Sequence, residues 1–223
     1  MDATVVKIGG SLALYPERLR ALCVKLVEVS HKHKLLILPG GGEFADTVRD
    51  LDKRFNLSPK STHRMAILGM DQYGYLLSDL MPGSHTPNKF EDAQKLLLQD
   101  KLPVFLPSNF LFEDTSLENS WHVTSDSIAI YIAGKLQAEK VILLKDVDGV
   151  YSSDPKKFSD AKLIEKISVR KLSEMDNGTS VDKFLPKLLM QLKIECFVVN
   201  GLYPERMQAI LEGLPAIYTI IQG

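Results

Sequence analysis

The sequence predicts an α/β fold with a mainly parallel central sheet covered by helices on both faces. Short continuous apolar runs alternate with segments of helical periodicity along the chain. Three glycine- or aspartate-rich clusters also fall just after predicted strands, where a parallel sheet opens its binding crevice. With 223 residues, 45% hydrophobic and 25% charged, the chain has the apolar material for one sizeable core, so a single domain over residues 1–223 is expected.

Val5 to Ile8 reads as the first buried strand. Pro16 suits a first helical position, and Leu19, Leu22, Cys23, Leu26 and Val29 then repeat at helical spacing. Leu35 to Leu38 is the second strand. Phe44, Val48, Leu51 and Phe55 mark an amphipathic helix closing near Asn56, and Ala66, Met70, Tyr73, Leu77 and Leu80 a longer one ending near Pro82 and Gly83. Ser84 to Asn88 reads as loop, Asp92 to Leu98 as helix, and Val104 to Leu106 as a short strand between prolines. Residues 113–120 are polar and turn-prone. Ser125 to Leu136 is helical, and Val141 to Leu144 is a strand apolar enough to be covered on both faces. The tail repeats the pattern: helix over Pro186 to Leu192, strand over Cys196 to Val199, helix over Pro204 to Leu211, and a last strand near Ile217 to Ile220.

Composition excludes several classes of function. Lysine and arginine number 27 against 28 aspartates and glutamates, interspersed, so no general attraction to nucleic acid or anionic lipid is expected. No apolar run approaches the length of a spanning helix, MDATVVKIGG lacks a signal-peptide shape, and Cys23 and Cys196 read as buried thiols; a cytoplasmic protein is expected. The five histidines are scattered and form no metal site. GxSxG, HExxH and GxxxxGK[ST] motifs are missing, which argues against serine hydrolases, zincins and P-loop ATPases. Trp121 stands alone and suits a core, an interface or a site wall.

The first of the three clusters is VVKIGGS. Lys7 sits inside an otherwise apolar strand and needs a partner, because burying an ammonium alone is costly. Gly9 and Gly10 let the backbone approach an anion closely, and Ser11 adds a hydroxyl and an amide. An edge-strand lysine above a tight turn is the plainer alternative. In LPGGGEFA, Gly40, Gly41 and Gly42 join a strand to a helix start whose amides favour an anion; they equally permit a tight turn. Gly40, Gly42 and Ala45 formally match the dinucleotide fingerprint, but no strand with an acidic residue follows at the required distance. In LLKDVDGVY, continued to Asp154, Asp146 and Asp148 leave a buried strand into a glycine turn, a geometry suited to a ribose or base, although Asp-Gly is common turn chemistry. Upstream, Thr124, Ser125 and Asp126 open a helix, and capping explains only one of them.

VVKIGGS, PGGGE, TSDSIA and LLKDVDGVY, in that order across nearly the whole chain, together resemble the amino acid kinase family. PGGGEFA, SWHVTSDS, TSVDKFLP and VVNGLYPER are similar, within it, to a small archaeal-type group acting on an aminomethylfuran methyl phosphate. The resemblance implies a single three-layer αβα sandwich assembled into dimers or larger rings and using ATP and Mg²⁺. It places the acceptor side mainly in the N-terminal half and the nucleotide side mainly in the C-terminal half.

By the family pattern Lys7 neutralises the transferred phosphoryl group, Asp126 orients the catalytic lysine or lysines, and Gly9, Gly10 and Ser11 donate to the ATP phosphates. Asp146, Asp148, Gly149, Val150, Tyr151 and Asp154 hold the nucleotide; Gly40, Gly41, Gly42 and Thr124 line the acceptor side. Arg64 falls where relatives bind substrate, though a solvated arginine at a helix start explains it equally well. Many relatives carry a second ATP-binding lysine where this chain has Leu185, with Thr179, Ser180, Val181 and Asp182 before it; either Lys183 or Lys187 reaches inward in its place or Mg²⁺ carries more of the charge. The implied activity is transfer of a phosphoryl group to a small phosphate monoester. Uridylate, isopentenyl phosphate, a carboxylate, or nucleotide binding without turnover are the alternatives.

Overall fold

The computed structural model describes residues 3–114, 116–155, 157–175 and 179–223. In chain order the elements are β1 (Thr4–Ile8), a 3-10 turn (Gly10–Leu14), α1 (Pro16–Ser30), β2 (Leu35–Pro39), α2 (Gly42–Phe55), α3 (Pro59–Asp79), β3 (Ser84–His85), α4 (Phe90–Leu98), β4 (Leu102–Pro103), α5 (Ser108–Glu113) and α6 (Ser125–Leu136). They continue with β5 (Lys140–Lys145), β6 (Val150–Tyr151), β7 (Leu163–Ile164), β8 (Lys166–Ser168), α7 (Val169–Ser173), α8 (Leu185–Gln191), β9 (Glu195–Asn200), α9 (Pro204–Glu212) and β10 (Thr219–Gln222).

The central sheet has the order β2-β1-β5-β9-β10-β8, parallel throughout except that β10 runs antiparallel to β9. Its period of two sorts the core into two layers. Val5, Leu36, Leu38, Val141, Leu143, Cys196 and Val198 point to the face covered by α4, α6, α7 and α8. Val6, Ile8, Leu35, Ile37, Ile142, Leu144, Phe197 and Val199 point to the opposite face, which α1 and α9 cover. The result is the expected αβα sandwich. β1 lies between β2 and β5, so Lys7 stands on an interior strand and the edge-strand alternative falls.

Several elements differ from the sequence reading. In α2 the buried positions are Ala45 and Val48, while Phe44 and Phe55 are exposed: beside Gly69 of α3 the two helices approach too closely at Phe44 and Ala45 for a ring to enter, and Phe55, at the end of α2, is left uncovered. The stretch expected to be loop from Ser84 holds β3, which pairs with β4; β4 begins two residues before the expected Val104–Leu106 strand, of which Val104 makes a single parallel bridge to Ile37 of β2. The final strand starts at Thr219 rather than Ile217. The β6–β7 hairpin, β8, α5 and α7 carry too few residues for periodicity to reveal.

Candidate active site

The chain enters the sheet at β1, returns on one side as β2, and later comes back on the other side as β5. The carboxyl ends of these three strands therefore frame a topological switch point, where open α/β sheets bind ligands. Register then decides which side chains meet there. Lys7 shares its face with Val5, and Lys145 shares its face with Val141 and Leu143, so both ammoniums lie on the α6 side. The first turn of α6 supplies the answering charge: Asp126 Oδ1 accepts from Lys7 Nζ at 2.8 Å and Oδ2 from Lys145 Nζ at 2.5 Å. Lys7 is 4% exposed and Asp126 2%.

Burial alone would lift the Asp126 carboxyl, but the Lys145 and Lys7 ammoniums outweigh it and hold the carboxyl at about 2. Lys7 is pushed the other way: burial lowers its ammonium to about 8, against the pull of Asp126 and with a further push from Lys145. Asp126 is thus a fixed negative strut between two cations rather than a base, since both its oxygens are committed.

A cleft of about 290 Å³ opens beside this triad, lined among the described residues by Lys7, Gly9, Gly10, Ser11, Gly41, Gly42, Thr124 and Asp126. The two glycine turns touch. A Cβ on Gly10 would come within 2.1 Å of the Gly42 nitrogen, and Gly42 takes φ +54°, so side chains here would force the turns apart. The outer wall is the Trp121 indole, whose Nε1 donates to Asp52 Oδ2 at 3.0 Å; the Arg49 guanidinium lies 4.7 Å from the ring centroid and pairs with Asp46 at 2.6 Å. A second cavity, of about 660 Å³, is lined by Asp146, Val147, Tyr151, Asp154, Phe158, Thr179 and Ser180. Ser11 and Lys145 line both.

Most of the residues singled out from sequence are thereby brought together, and some are not. Arg64 does not reach the cleft: it packs 4.9 Å from the Phe112 ring centroid in an adjoining cavity of about 160 Å³. Gly40 is pressed against Gly10 and Ile8 rather than lining the opening. Asp148 is engaged by Asn200 at 2.9 Å and Arg206 at 2.6 Å, Gly149 packs on Thr219, and Val150 is wholly buried, so these three build the turn that carries Tyr151 and Asp154. Thr124 caps α6 at the cleft edge. Lys183 and Lys187 face other surfaces: Lys183 lines a separate cavity with Leu172 and Met175, and Lys187 lies 4.9 Å from the Phe184 ring centroid.

Sequence reasoning missed Lys145, Arg49, His63 and Asp182. Lys145 had a signal, the same odd-position parity that makes Lys7 conspicuous. Half-buried His63 lines both the cleft and the Arg64 cavity, and burial lowers its pKa. Asp182 accepts from the Thr124 and Ser127 amides (both 3.0 Å), from both of their hydroxyls, and from the Phe184 and Leu185 amides at 3.2 and 2.9 Å. It joins the starts of α6 and α8, a pairing invisible in one dimension.

A glycine-walled cleft with paired ammoniums at the switch point of a parallel sheet defines a phosphate-handling α/β protein. The chain belongs to the amino acid kinase family, which it matches over residues 2–200. It is 38% identical to a [5-(aminomethyl)furan-3-yl]methyl phosphate kinase from Methanocaldococcus jannaschii, across 98% of this chain and 97% of that protein. A uridylate kinase from the same organism is 26% identical, across 98% of this chain and 99% of the relative. Among solved structures, uridylate kinase from Archaeoglobus fulgidus shares the fold with a TM-score of 0.78 at 23% identity, covering 99% of this chain and all of the other.

Proposed function

We propose that this protein is an ATP-dependent kinase that extends a small phosphate monoester to a diphosphate, with [5-(aminomethyl)furan-3-yl]methyl phosphate as its acceptor. The observation that carries the reading is the buried Lys7, held by Asp126 at the floor of a glycine-lined cleft, in a chain 38% identical to a kinase of that name. The nucleotide occupies the larger cavity, its base and ribose against Tyr151, Asp146 and Asp154, and its phosphates run past Ser11 to Lys7. The acceptor enters from the Trp121 side, in the N-terminal half.

An acceptor phosphate oxygen is already anionic at neutral pH, so attack on the γ-phosphorus needs no general base, in keeping with an Asp126 whose oxygens are both occupied. The bond from that oxygen to phosphorus forms as the bond to the β-phosphate oxygen breaks, and ADP leaves with the electron pair. Lys7 and the Gly10 and Ser11 amides neutralise charge on the equatorial oxygens, whereas the Gly9 amide, expected to join them, is spent on the Leu144 carbonyl at 2.8 Å. Among the described residues no group of three His, Cys, Asp or Glu side chains gathers as a ligand set, which suits a Mg²⁺ carried on the nucleotide's own phosphates. When bound, that ion adds charge neutralisation.

The acceptor wall favours an aminomethylfuran. Trp121 offers an aromatic wall to a small ring, and the Asp46–Arg49 pair packed on it supplies, on opening, a carboxylate to an ammonium and a guanidinium to a phosphate. Incubation with ATP, Mg²⁺ and the furan methyl phosphate is expected to release ADP and form the diphosphate, read by phosphorus NMR. Preference for uridylate, isopentenyl phosphate or a carboxylate in the same panel replaces the acceptor. ADP release from none of them by folded protein leaves a nucleotide-binding module. No described helix is long and apolar enough to cross a membrane; the reading places the enzyme in the cytoplasm as a homo-oligomer.

A further inference from the structure

We propose that Lys145 is a second catalytic lysine, which together with Lys7 brackets the γ-phosphoryl group during transfer. This rests on the kinase reading and assigns the missing second ammonium to the end of β5. Leu185 is wholly buried, and neither Lys183 nor Lys187 lines either cavity. Lys145 has the position the chemistry needs. Its side chain is 14% exposed, it is fixed on Asp126, and with Ser11 it lines both the acceptor cleft and the nucleotide cavity.

The charge balance points the same way. A structural ion pair needs one cation for one carboxylate, whereas Asp126 carries two. The Asp182 carboxylate nearby is taken up by the amides and hydroxyls at the starts of α6 and α8. Lys7, Lys145 and Asp126 together carry one net positive charge at the junction of the two cavities, offset in part by the Asp182 carboxylate, which acts on Lys7 from a greater distance, and partial burial strengthens the pull of the two ammoniums on an anion. As the acceptor oxygen bonds to the γ-phosphorus and the bond to ADP breaks, the two ammoniums share the charge on the equatorial oxygens, and neither gives up a proton.

Lys145→Met is expected to lower kcat by about 100-fold or more, as for loss of one preorganised donor. It should also weaken a non-hydrolysable β,γ-imido analogue of ATP at least about tenfold while ADP affinity stays within about threefold. A merely structural lysine would weaken both nucleotides alike. If Lys145→Met melts at room temperature, Lys145→Cys alkylated with bromoethylamine restores an ammonium of similar reach. Cys23 and Cys196 are buried and their thiols are pushed up by burial, so the reagent reaches the introduced thiol. Alkylation is expected to recover both turnover and the preference for the triphosphate analogue.

Near-wild-type turnover of Lys145→Met, equal losses for ADP and analogue, or a large loss at Lys183→Met or Lys187→Met instead would overturn the assignment. Wild-type protein that turns over no acceptor strikes the kinase reading, and the nucleotide comparison still decides Lys145.

Discussion

An ammonium in the middle of a buried strand costs several kcal/mol unless a counter-charge and hydrogen bonds meet it. That penalty made Lys7 conspicuous in VVKIGG, and the structure answers it with Asp126, 119 residues away. Both members of the pair are buried, yet both line the floor of a cleft rather than a closed core. Lys7→Ala is expected to cut turnover at least ~100-fold, about 2.7 kcal/mol of transition-state stabilisation. Its melting temperature should change little, because Asp126 keeps Lys145; near-full activity would move the role elsewhere. The pH dependence follows from burial: in the free protein Lys7 releases its proton near pH 8. Bound triphosphate favours the charged form, so ATP binding above that pH takes up a proton, and affinity falls as pH rises, by up to about tenfold per unit. Calorimetry between pH 7 and 9.5 should show this slope in the wild type and a flat profile in Lys7→Arg.

At the level of elements, the segment preceding α8 illustrates what one residue's chemistry can hide. Its departure from the family pattern reads in sequence as the loss of a lysine, yet Asp182 gives it a structural task by accepting from the first turns of both α6 and α8. Negative charge there also opposes the positive ends of both helices. Since α6 presents Asp126 in its first turn, any slippage of this helix start displaces the carboxylate that holds both lysines. Asp182→Ala orphans several amides and hydroxyls and is expected to cost on the order of 3 kcal/mol of stability in urea unfolding. Activity should fall further than the unfolded fraction accounts for; Asp182→Asn, which keeps half of the acceptor capacity, should recover part of both. Unchanged stability would show that water replaces these contacts.

Across the whole molecule, the order β2-β1-β5 places the switch point at the lysines, where the smaller cleft and the larger cavity meet at Ser11 and Lys145. Trp121 closes one side, and Tyr151 lines the other. Trp121→Ala is accordingly expected to raise the acceptor KM about tenfold or more with the ATP KM nearly unchanged, and Tyr151→Ala to do the reverse. Crossed effects would place the two ligands differently. The fold behind this division was largely readable, because the strands β1, β2, β5 and β9 are continuous apolar runs and α1, α6 and α9 carry long uninterrupted patterns. Phe44 and Phe55 misled because periodicity reports which residues share a helical stripe, not whether a neighbouring helix covers it.

Local chemistry, legible along the chain, determined that a lysine stands in an apolar strand ahead of a glycine turn, that an acidic residue opens a later helix and that an aspartate-rich turn follows a later strand. Those properties depend on residues a few positions apart, through strand parity, helix capping and the steric freedom of glycine. Only the tertiary structure decided that Lys145 joins Lys7 on Asp126, that Asp182 ties two helices, and that Arg64 stands outside the cleft. Each of these is a meeting of groups from different elements, fixed by sheet order and register, and no periodicity within a single segment encodes the distance between segments.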